Sequence, residues 1–433
     1  SRLFNKIPYF DENVEISQYP DIPNNEFTRD EILSMLAKEM LDAAELLPAS
    51  QSEVGRIHKY IALAYAAKIK LYQAYQQDEI THAVTSINKE LLREVVSLCD
   101  QVTASNRYGL LDDFQGLDLV TNENGKESVF AIQYSMNDGT ESAGRINWSN
   151  LLNSPGGGSP YGGDGFFLPS QDLINAYQTD ANGLPDFNYQ SKSDYSWAVL
   201  NNGVYTLQNT TPNVDPRLDF VVGRPTITWK TYPDKPCEGW VRDKDTYGYN
   251  CAKRFWVSPE SSDMFNGWPW GASQLNWQII RYADILLWKA EALIELNEGN
   301  GLETARDLIN QIRNRARNSA YVKDFNDHSK YAANYLVNPY PADVWNQDYA
   351  RQALRWETRL EKALEGERFF DLVRWGIVET TMNNYITAES DNRIYYANAH
   401  FTGGKDEYYP VPNNQYGFSG GKYVQNPGYA PFN

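Results

Sequence analysis

One stretch near the C-terminus, RWETRLEKALEGERFFDLVRWG at residues 355–376, constrains the fold most because it joins a charged helical pattern to an aromatic end. Glu365, Arg368, Asp371 and Arg374 recur every three residues with alternating sign. This spacing predicts an ion-pair ladder along one solvated face of a helix. We interpret the stretch as structural rather than as a catalytic carboxylate cluster, because alternating charges at helical spacing satisfy one another.

Apolar periodicity predicts further helices, which fall into two blocks. In the first block two helices form an antiparallel pair across the breaker PASQSEVG, and a third follows. The second block holds another pair across the turn NEGNG. Neither helix of a pair buries its apolar stripe alone, whereas stacked pairs do, as in tetratricopeptide repeats. The predicted helices span residues 29–46, 56–76, 89–103, 280–296 and 302–317.

A segment of different character, residues 139–276, separates the two blocks. It is rich in Gly, Pro, Asn, Asp, Tyr and Trp, and it contains short strand-like runs such as RLDFVV, TITW and KRFWVS. Long irregular segments within a globular protein are usually functional or disordered, and the aromatic density here argues against disorder. We therefore expect an aromatic-rich, loop-built binding face on a helical scaffold.

Charge and hydropathy exclude several classes of partner. The net charge of −17 disfavours nucleic acids and anionic lipid surfaces, which the chain would repel, and it favours neutral or cationic ligands. No run of 18 apolar residues is present, so the sequence contains no candidate transmembrane helix.

The aromatic content of 14%, with 30 Tyr and 12 Trp, points to ligands with apolar faces and polar edges. Sugar rings have this character, since their C–H faces stack on aromatic rings while their hydroxyls take hydrogen bonds. We assign aromatic residues of the helices to the core. We assign aromatic residues of the irregular segment, together with three polar neighbours, to ligand contact. The candidate contacts are Trp229, Tyr232, Trp240, Arg242, Asp243, Tyr247, Tyr249, Asn250, Trp268 and Trp270.

Catalytic signatures are absent from the sequence. The four histidines have no HExxH spacing, no GxSxG elbow occurs, and neither Gly-Gly-Lys run continues as a phosphate-binding loop. A glycosidase needs only two suitably separated carboxylates, and 56 acidic residues leave that alternative open. We predict no catalytic residues and no cofactor, although Asp- and Asn-rich loops offer oxygen ligands for a calcium ion without an EF-hand pattern.

The three cysteines carry little functional information. Cys99 lies within a helical pattern and is interpreted as a small buried hydrophobic residue. Cys237 and Cys251 fall in one polar loop, which a disulfide would close in an exported protein. Spacing alone leaves that disulfide open, because the geometry decides it.

Several motifs taken together resemble the SusD/RagB family of surface nutrient-binding lipoproteins. They include IRYADILLWKAEALIELNEGNGLETARDLINQIRNRAR at 280–317, the stretch at 355–376, YYPVPNNQ at 408–415 and QNPGY at 425–429. Upstream segments beginning at Phe27, Gly55 and Arg107, and DPRL at 215–218, are similar to successive family segments. Each motif is weak alone, but their order and spacing are specific.

The resemblance implies a mainly α fold: a tetratricopeptide-like helical-repeat scaffold with a large irregular, loop-rich segment that bears short strands. We expect a single SusD-like body over 1–433, with helical blocks at 27–105 and 279–376, the ligand-binding segment at 139–276 and an irregular C-terminal segment at 377–433. The opening RLFNKIPYFDE is similar to a family segment that follows a substantial N-terminal portion with a lipidated cysteine. The chain is therefore expected to be a processed or partial version.

The family also implies a function, namely binding without catalysis. A member would sit on the extracellular face of the outer membrane through its N-terminal lipid anchor, capture an oligosaccharide or polysaccharide, and deliver it to a SusC-type TonB-dependent transporter. Three alternatives stay open: a peptide-binding relative on the same scaffold, a glycoside hydrolase, and an interaction scaffold without a small ligand.

Overall fold

The structure, a computed structural model, describes residues 2–141, 144–156, 158–196, 198–201, 204–207, 212–232, 239–268 and 270–432. Helices dominate these ranges, and the strands are short. The α-helices are α1 Arg29–Leu46, α2 Lys59–Ala74, α3 Lys89–Thr103, α4 Gln171–Ala176, α5 Arg217–Val221, α6 Lys244–Tyr247, α7 Tyr282–Leu296, α8 Gly301–Asn318, α9 Gln347–Glu361, α10 Arg368–Arg374, α11 Val378–Ser390 and α12 Asn413–Phe418.

The strands form five antiparallel two-stranded pairs within the described ranges: β1 with β2, β3 with β10, β4 with β7, β5 with β6, and β8 with β9. They are β1 Tyr75–Gln77, β2 Val84–Ile87, β3 Ser128–Ile132, β4 Gln178–Thr179, β5 Ala198–Asn201, β6 Val204–Leu207, β7 Asn213–Val214, β8 Val222–Gly223, β9 Cys251–Ala252 and β10 Trp277–Arg281.

The first helical block begins with a reciprocal cap. Thr28 Oγ1 accepts a hydrogen bond from the Glu31 backbone N–H at 3.2 Å, and Glu31 Oε2 accepts one from the Thr28 backbone N–H at 2.8 Å. Helix α1 therefore starts at Arg29, and its predicted bounds are confirmed, as are those of α3. Helix α2 is shorter than the predicted 56–76, because His58 is extended and Tyr75 begins β1.

The helices pack in sequence, α1 on α2 and α2 on α3, and α3 then packs against α7. In the second block α7 packs on α8, and both contact α9. Apolar side chains from α2, α3 and α7 share one hydrophobic core, including Leu71, Val95 and Ile285, none of which is exposed. The prediction of a mainly α fold with stacked helix pairs is confirmed.

The helical pattern at 355–376 does not form one continuous helix. Helix α9 ends at Glu361 and α10 begins at Arg368. Between them Leu364 has φ 66° and Gly366 has φ 81°, and left-handed residues of this kind terminate a helix.

The predicted solvated ladder is wrong as well. The Glu365 side chain is only 6% exposed and bonds Arg281 at 2.8 Å and Lys362 at 2.6 Å. Asp371 and Arg374 pair with each other at 2.8 Å, but both are buried. Glu365 is therefore held by Arg281 from another segment as well as by Lys362, and the buried carboxylates are compensated by paired cations rather than by water.

None of the three strand-like runs forms a strand over its whole length. RLDFVV begins as α5 and becomes extended only at β8, while KRFWVS forms no named strand. TITW makes isolated bridges at Ile227 and Trp229 rather than a strand. Short apolar runs do not distinguish a buried helical turn from a strand, because both bury consecutive side chains.

A buried ion-pair network ties the irregular segment to the helices. Arg217, from the DPRL motif, donates from Nη2 to Asp215 at 2.7 Å and from Nη1 to Glu357 at 2.6 Å and Glu361 at 3.2 Å. All four side chains are completely buried. Arg281, the residue before α7, donates to Glu361 at 3.0 Å, so the network reaches the second helical block. Within the described ranges, none of the helices combines the length and hydropathy of a membrane span.

Candidate ligand-binding site

Trp229 and Trp240 are buried, so their prediction as exposed ligand contacts is wrong. Their exposed fractions are 1% and 3%, and their rings lie 4.9 Å apart between centroids. Trp229 Nε1 donates to the Tyr161 hydroxyl at 2.9 Å, and the ring of Trp256 lies 4.9 Å from that of Tyr161. These aromatics form a small hydrophobic core within the irregular segment.

Tyr232 is half-buried at the edge of this core, where its backbone N–H donates to the Trp229 carbonyl at 2.8 Å. Cys251 is buried with its Sγ 3.6 Å from the Gly223 carbonyl oxygen. Cys237 lies outside the described residues, so the disulfide stays a prediction.

Arg242 and Asp243 have structural partners. Arg242 Nη2 donates to the Gly163 carbonyl at 2.8 Å, and Nη1 pairs with Asp164 at 2.9 Å, so the side chain holds the glycine-rich loop while staying largely exposed. Asp243 Oδ1 accepts a hydrogen bond from the Thr246 backbone N–H at 3.1 Å and thereby caps α6.

Trp268 and Trp270 are exposed as predicted, with exposed fractions of 67% and 54%. They sit on a turn whose arms are joined by a hydrogen bond from the Phe265 N–H to the Ala272 carbonyl at 2.9 Å. Trp148, which the sequence reasoning missed, is 42% exposed and lies edge-to-face with Trp268 at 5.5 Å. We call Trp148, Trp268 and Trp270 the tryptophan face.

The loop that follows Trp148 supports the tryptophan face. A Cβ atom at Gly162 would come within 3.2 Å of the Trp270 Cβ. Because glycine lacks this atom, the loop backbone can lie directly against Trp270. The turn and the loop are joined by a hydrogen bond from the Asn147 N–H to the Ser273 carbonyl at 2.8 Å. Trp148 meets the same criterion as the predicted contacts, an aromatic residue in an irregular stretch, and could have been found by it.

Other predicted residues line a separate cleft of about 360 Å³, which we call the Tyr249 cleft. Tyr249 is half-buried there, whereas Asn250 is only 5% exposed and lies in the wall. Tyr247 is 43% exposed beside the cleft, and its ring centroid is 6.0 Å from that of Tyr395. The lining residues are Gln171, Asp194, Tyr195, Ser196, Lys244, Gly248, Tyr249, Asn250, Asn392 and Arg393.

Amide side chains hold one wall of the Tyr249 cleft in place. Asp194 accepts hydrogen bonds from Asn175 Nδ2 at 2.7 Å and from Asn392 Nδ2 at 3.3 Å. Asn175 Oδ1 in turn accepts the Tyr195 backbone N–H at 2.8 Å and Gln171 Nε2 at 2.9 Å. The sequence reasoning missed Asp194, Asn392 and Arg393, because they lie far from the aromatic loop along the chain and belong to no motif.

A buried acid lies one turn before the cleft residues of the C-terminal segment. Glu389 is 1% exposed, and burial raises the pKa of its carboxyl group. Its Oε1 accepts the Asp172 backbone N–H, and its carbonyl accepts the Arg393 backbone N–H at 2.7 Å. Glu389 therefore anchors the stretch that carries Asn392 and Arg393. Across the described ranges no group of three or more His, Cys, Asp or Glu side chains is placed to hold a metal, and the question of calcium binding stays open.

A sequence model described as the SusD family matches residues 126–429, which is more than half of the chain. The chain belongs to the SusD family. The resemblance read from the sequence motifs is thus confirmed. A search of curated proteins found no match.

Solved SusD-like structures share the fold along almost the whole chain. A SusD-like carbohydrate-binding protein from Bacteroides fragilis has 19% identity and a TM-score of 0.67, with 96% of this chain and 75% of that chain covered. A laminarin-binding SusD-like protein has 20% identity and a TM-score of 0.61, with 99% of this chain and 75% of that chain covered. Surface glycan-binding protein A from Bacteroides thetaiotaomicron has 17% identity and a TM-score of 0.56, with 99% of this chain and 74% of that chain covered. The names of these three proteins describe carbohydrate, laminarin and glycan binding.

Proposed function

We propose that this SusD-family chain is a surface glycan-binding protein that captures oligosaccharides on the tryptophan face. The observation that carries the proposal is the exposure of three indoles, at 42%, 67% and 54%, on adjoining loops. Single exposed apolar residues are common on protein surfaces, whereas grouped exposed aromatics mark binding surfaces. The carbohydrate-binding and glycan-binding names of the structural neighbours support a saccharide ligand.

The geometry of the tryptophan face suits a sugar chain. Trp148 and Trp268 meet at 70°, so two successive rings of a bent glycan would each find a stacking plane. Asp164 lies on the supporting loop and pairs with Arg242, and both partly exposed side chains carry hydrogen-bonding groups toward solvent. An open platform of this kind gains several weak contacts and releases its ligand readily, which suits a protein that passes its cargo on.

We further propose that the chain acts at the outer membrane. A lipid anchor on an N-terminal portion would hold it at the extracellular face, and the captured glycan would pass to a SusC-type TonB-dependent transporter. Family membership supports this arrangement. Co-purification of the lipidated protein with such a transporter from solubilised outer membranes would test it, and repeated recovery of the protein alone would contradict it.

Affinity electrophoresis in gels containing neutral polysaccharides tests the binding function. We expect retardation by at least one of laminarin, starch, xylan and galactan, and we expect its loss in Trp268→Ala or Trp270→Ala. Phe418→Ala is the matched control, since it removes a 54% exposed aromatic side chain from the C-terminal segment. Retardation by no polysaccharide, or retardation that both tryptophan substitutions leave unchanged, would contradict the proposal.

A further inference from the structure

We propose that the Tyr249 cleft is a second site, one that binds an acidic sugar residue carrying a carboxylate or sulfate group. This inference rests on the proposed function only in taking the ligand to be a saccharide. It runs against the net charge of −17, which by itself favours neutral or cationic ligands. Local charge decides binding at short range, because screening confines the field of distant charges.

Two cations line the cleft without a carboxylate partner. Lys244 and Arg393 both contribute to the lining, and within the described ranges neither forms an ion pair at 4.0 Å or less. Lys244 Nζ lies 6.0 Å from the centre of the Tyr249 ring, and Arg393 donates from Nη1 to the Asn392 carbonyl at 2.8 Å. The guanidinium therefore keeps further N–H groups for a ligand.

Two acids near these cations are already engaged, Glu389 and Asp243. Glu389 is buried and accepts a backbone N–H, and Asp243 caps the helix that carries Lys244. Asp194 is the acid that lines the cleft, so the lining holds two cations and one carboxylate. An anionic ligand group would complete this charge balance, whereas a neutral sugar would leave one cation without a counter-charge.

The backbone at Gly248 holds the guanidinium in position. A Cβ atom there would lie 2.6 Å from Arg393 Nη2, and Gly248 has φ 74°, a conformation that other residues rarely adopt. Arg393 thus packs against bare backbone at the edge of the cleft. A fixed guanidinium loses less conformational entropy on binding an anion than a free one does.

The remaining lining matches the hydroxyls and faces of a sugar. The Asp194 oxygens accept one amide N–H each, at 2.7 Å and 3.3 Å, so each has a lone pair for a sugar hydroxyl. The exposed rings of Tyr247 and Tyr395 offer apolar faces beside the cleft. A cavity of about 360 Å³ falls within the range of small-ligand sites.

Isothermal titration calorimetry with two matched trisaccharides tests the proposal. Trigalacturonate and α-1,4-galactotriose differ only at C6, which is a carboxylate in one and a hydroxymethyl group in the other. At low salt we expect trigalacturonate to bind at least about tenfold more tightly than α-1,4-galactotriose, because one charge-assisted contact contributes about this much. The preference should shrink as ionic strength rises.

Substitutions in the Tyr249 cleft test whether the preference for trigalacturonate arises there. Arg393→Gln and Lys244→Gln should each remove most of this preference, and Arg393→Lys should retain part of it. Lys330→Gln is the matched control, because it removes an exposed cation that does not line the cleft. Thermal unfolding of each variant identifies any general loss of structure, and Arg393→Lys keeps the test valid if Arg393→Gln fails to fold.

Further ligands distinguish the sources of the anionic group. Tighter binding of a sulfated galactan oligosaccharide, lost in Arg393→Gln, would assign the cleft to sulfated rather than uronic sugars. Equal affinity of the two trisaccharides together with no binding of the sulfated one would overturn the proposal. So would equal binding of a glutamate peptide of the same charge. Loss of neutral-polysaccharide retardation in Trp268→Ala is independent of these results, so this inference and the proposed function fail separately.

Discussion

Arg217 donates from Nη1 to Glu357 Oε1 at 2.6 Å, and both side chains are completely buried. The two residues are 140 positions apart, one in the irregular segment and one on α9. Asp215 and Glu361 also bond Arg217, so this guanidinium contacts three buried carboxylates. This contact joins the loops that carry the candidate sites to the helical scaffold.

Arg217→Met is expected to destabilise the protein by about 3–5 kcal/mol, because it removes the cation that pairs with the buried Asp215. Urea unfolding followed by circular dichroism measures the free energy. Lys330→Met, which breaks the exposed Lys330–Asp327 pair, should leave the unfolding midpoint unchanged. A loss below about 1 kcal/mol in Arg217→Met would show that other cations of the network compensate.

Stability should fall in acid through Glu361. Burial opposes ionisation of this carboxyl group, but Arg315, Arg281 and Arg217 outweigh burial and lower the pKa of Glu361 to about 2. Because the folded pKa lies below the unfolded one, the stabilisation is complete above about pH 5 and is lost as the pH falls toward 2.

The matched measurement is the difference in unfolding free energy between the native chain and Glu361→Gln across that pH range. It should be about 3 kcal/mol near neutral pH and shrink in acid, when the native side chain also becomes neutral. The native-minus-variant difference cancels acid effects that arise from other groups. A difference that stays constant from pH 7 to pH 2.5 would be inconsistent with a depressed pKa at Glu361.

Two tryptophans of the irregular segment should respond oppositely to truncation. Trp240→Ala removes a buried ring from the aromatic core and should cost about 3–5 kcal/mol of stability. Trp270→Ala removes a 54% exposed ring and should leave the unfolding transition nearly unchanged. Thermal unfolding of the two variants side by side checks this, and equal losses would place Trp270 in the core.

Gly248→Ala should destabilise the Tyr249 cleft region by about 1–3 kcal/mol, since alanine is strained at this backbone conformation and its Cβ would meet Arg393. The control is Gly417→Ala in α12, where the backbone is helical and a Cβ would have no neighbour within 4 Å. That substitution should be neutral or slightly stabilising. Thermal unfolding measures both changes, and a neutral Gly248→Ala would mean that Arg393 is free to move.

Helix positions were predictable where the determinants are local. The Thr28 and Glu31 cap and the apolar spacing after it are adjacent in sequence, so the start of α1 follows from them. The break at Leu364 was missed, because a leucine carries no signal for a left-handed conformation and the buried partners of Glu365 come from elsewhere in the chain. Of the predicted contacts, Trp268 and Trp270 are exposed while Trp229 and Trp240 are buried, although all four lie in loops of similar composition.

The sequence by itself determined the helix pairs, the mainly α class and the SusD family, since periodicity, caps and the order of motifs are properties of neighbouring residues. Only the tertiary structure decided which loop aromatics are exposed, and only it brought Arg393 to Lys244 and Asp194. The physical reason is that burial and electrostatic environment depend on contacts between residues far apart in the chain. No local pattern encodes those contacts, so a tryptophan that becomes core and one that faces solvent have the same appearance in the sequence.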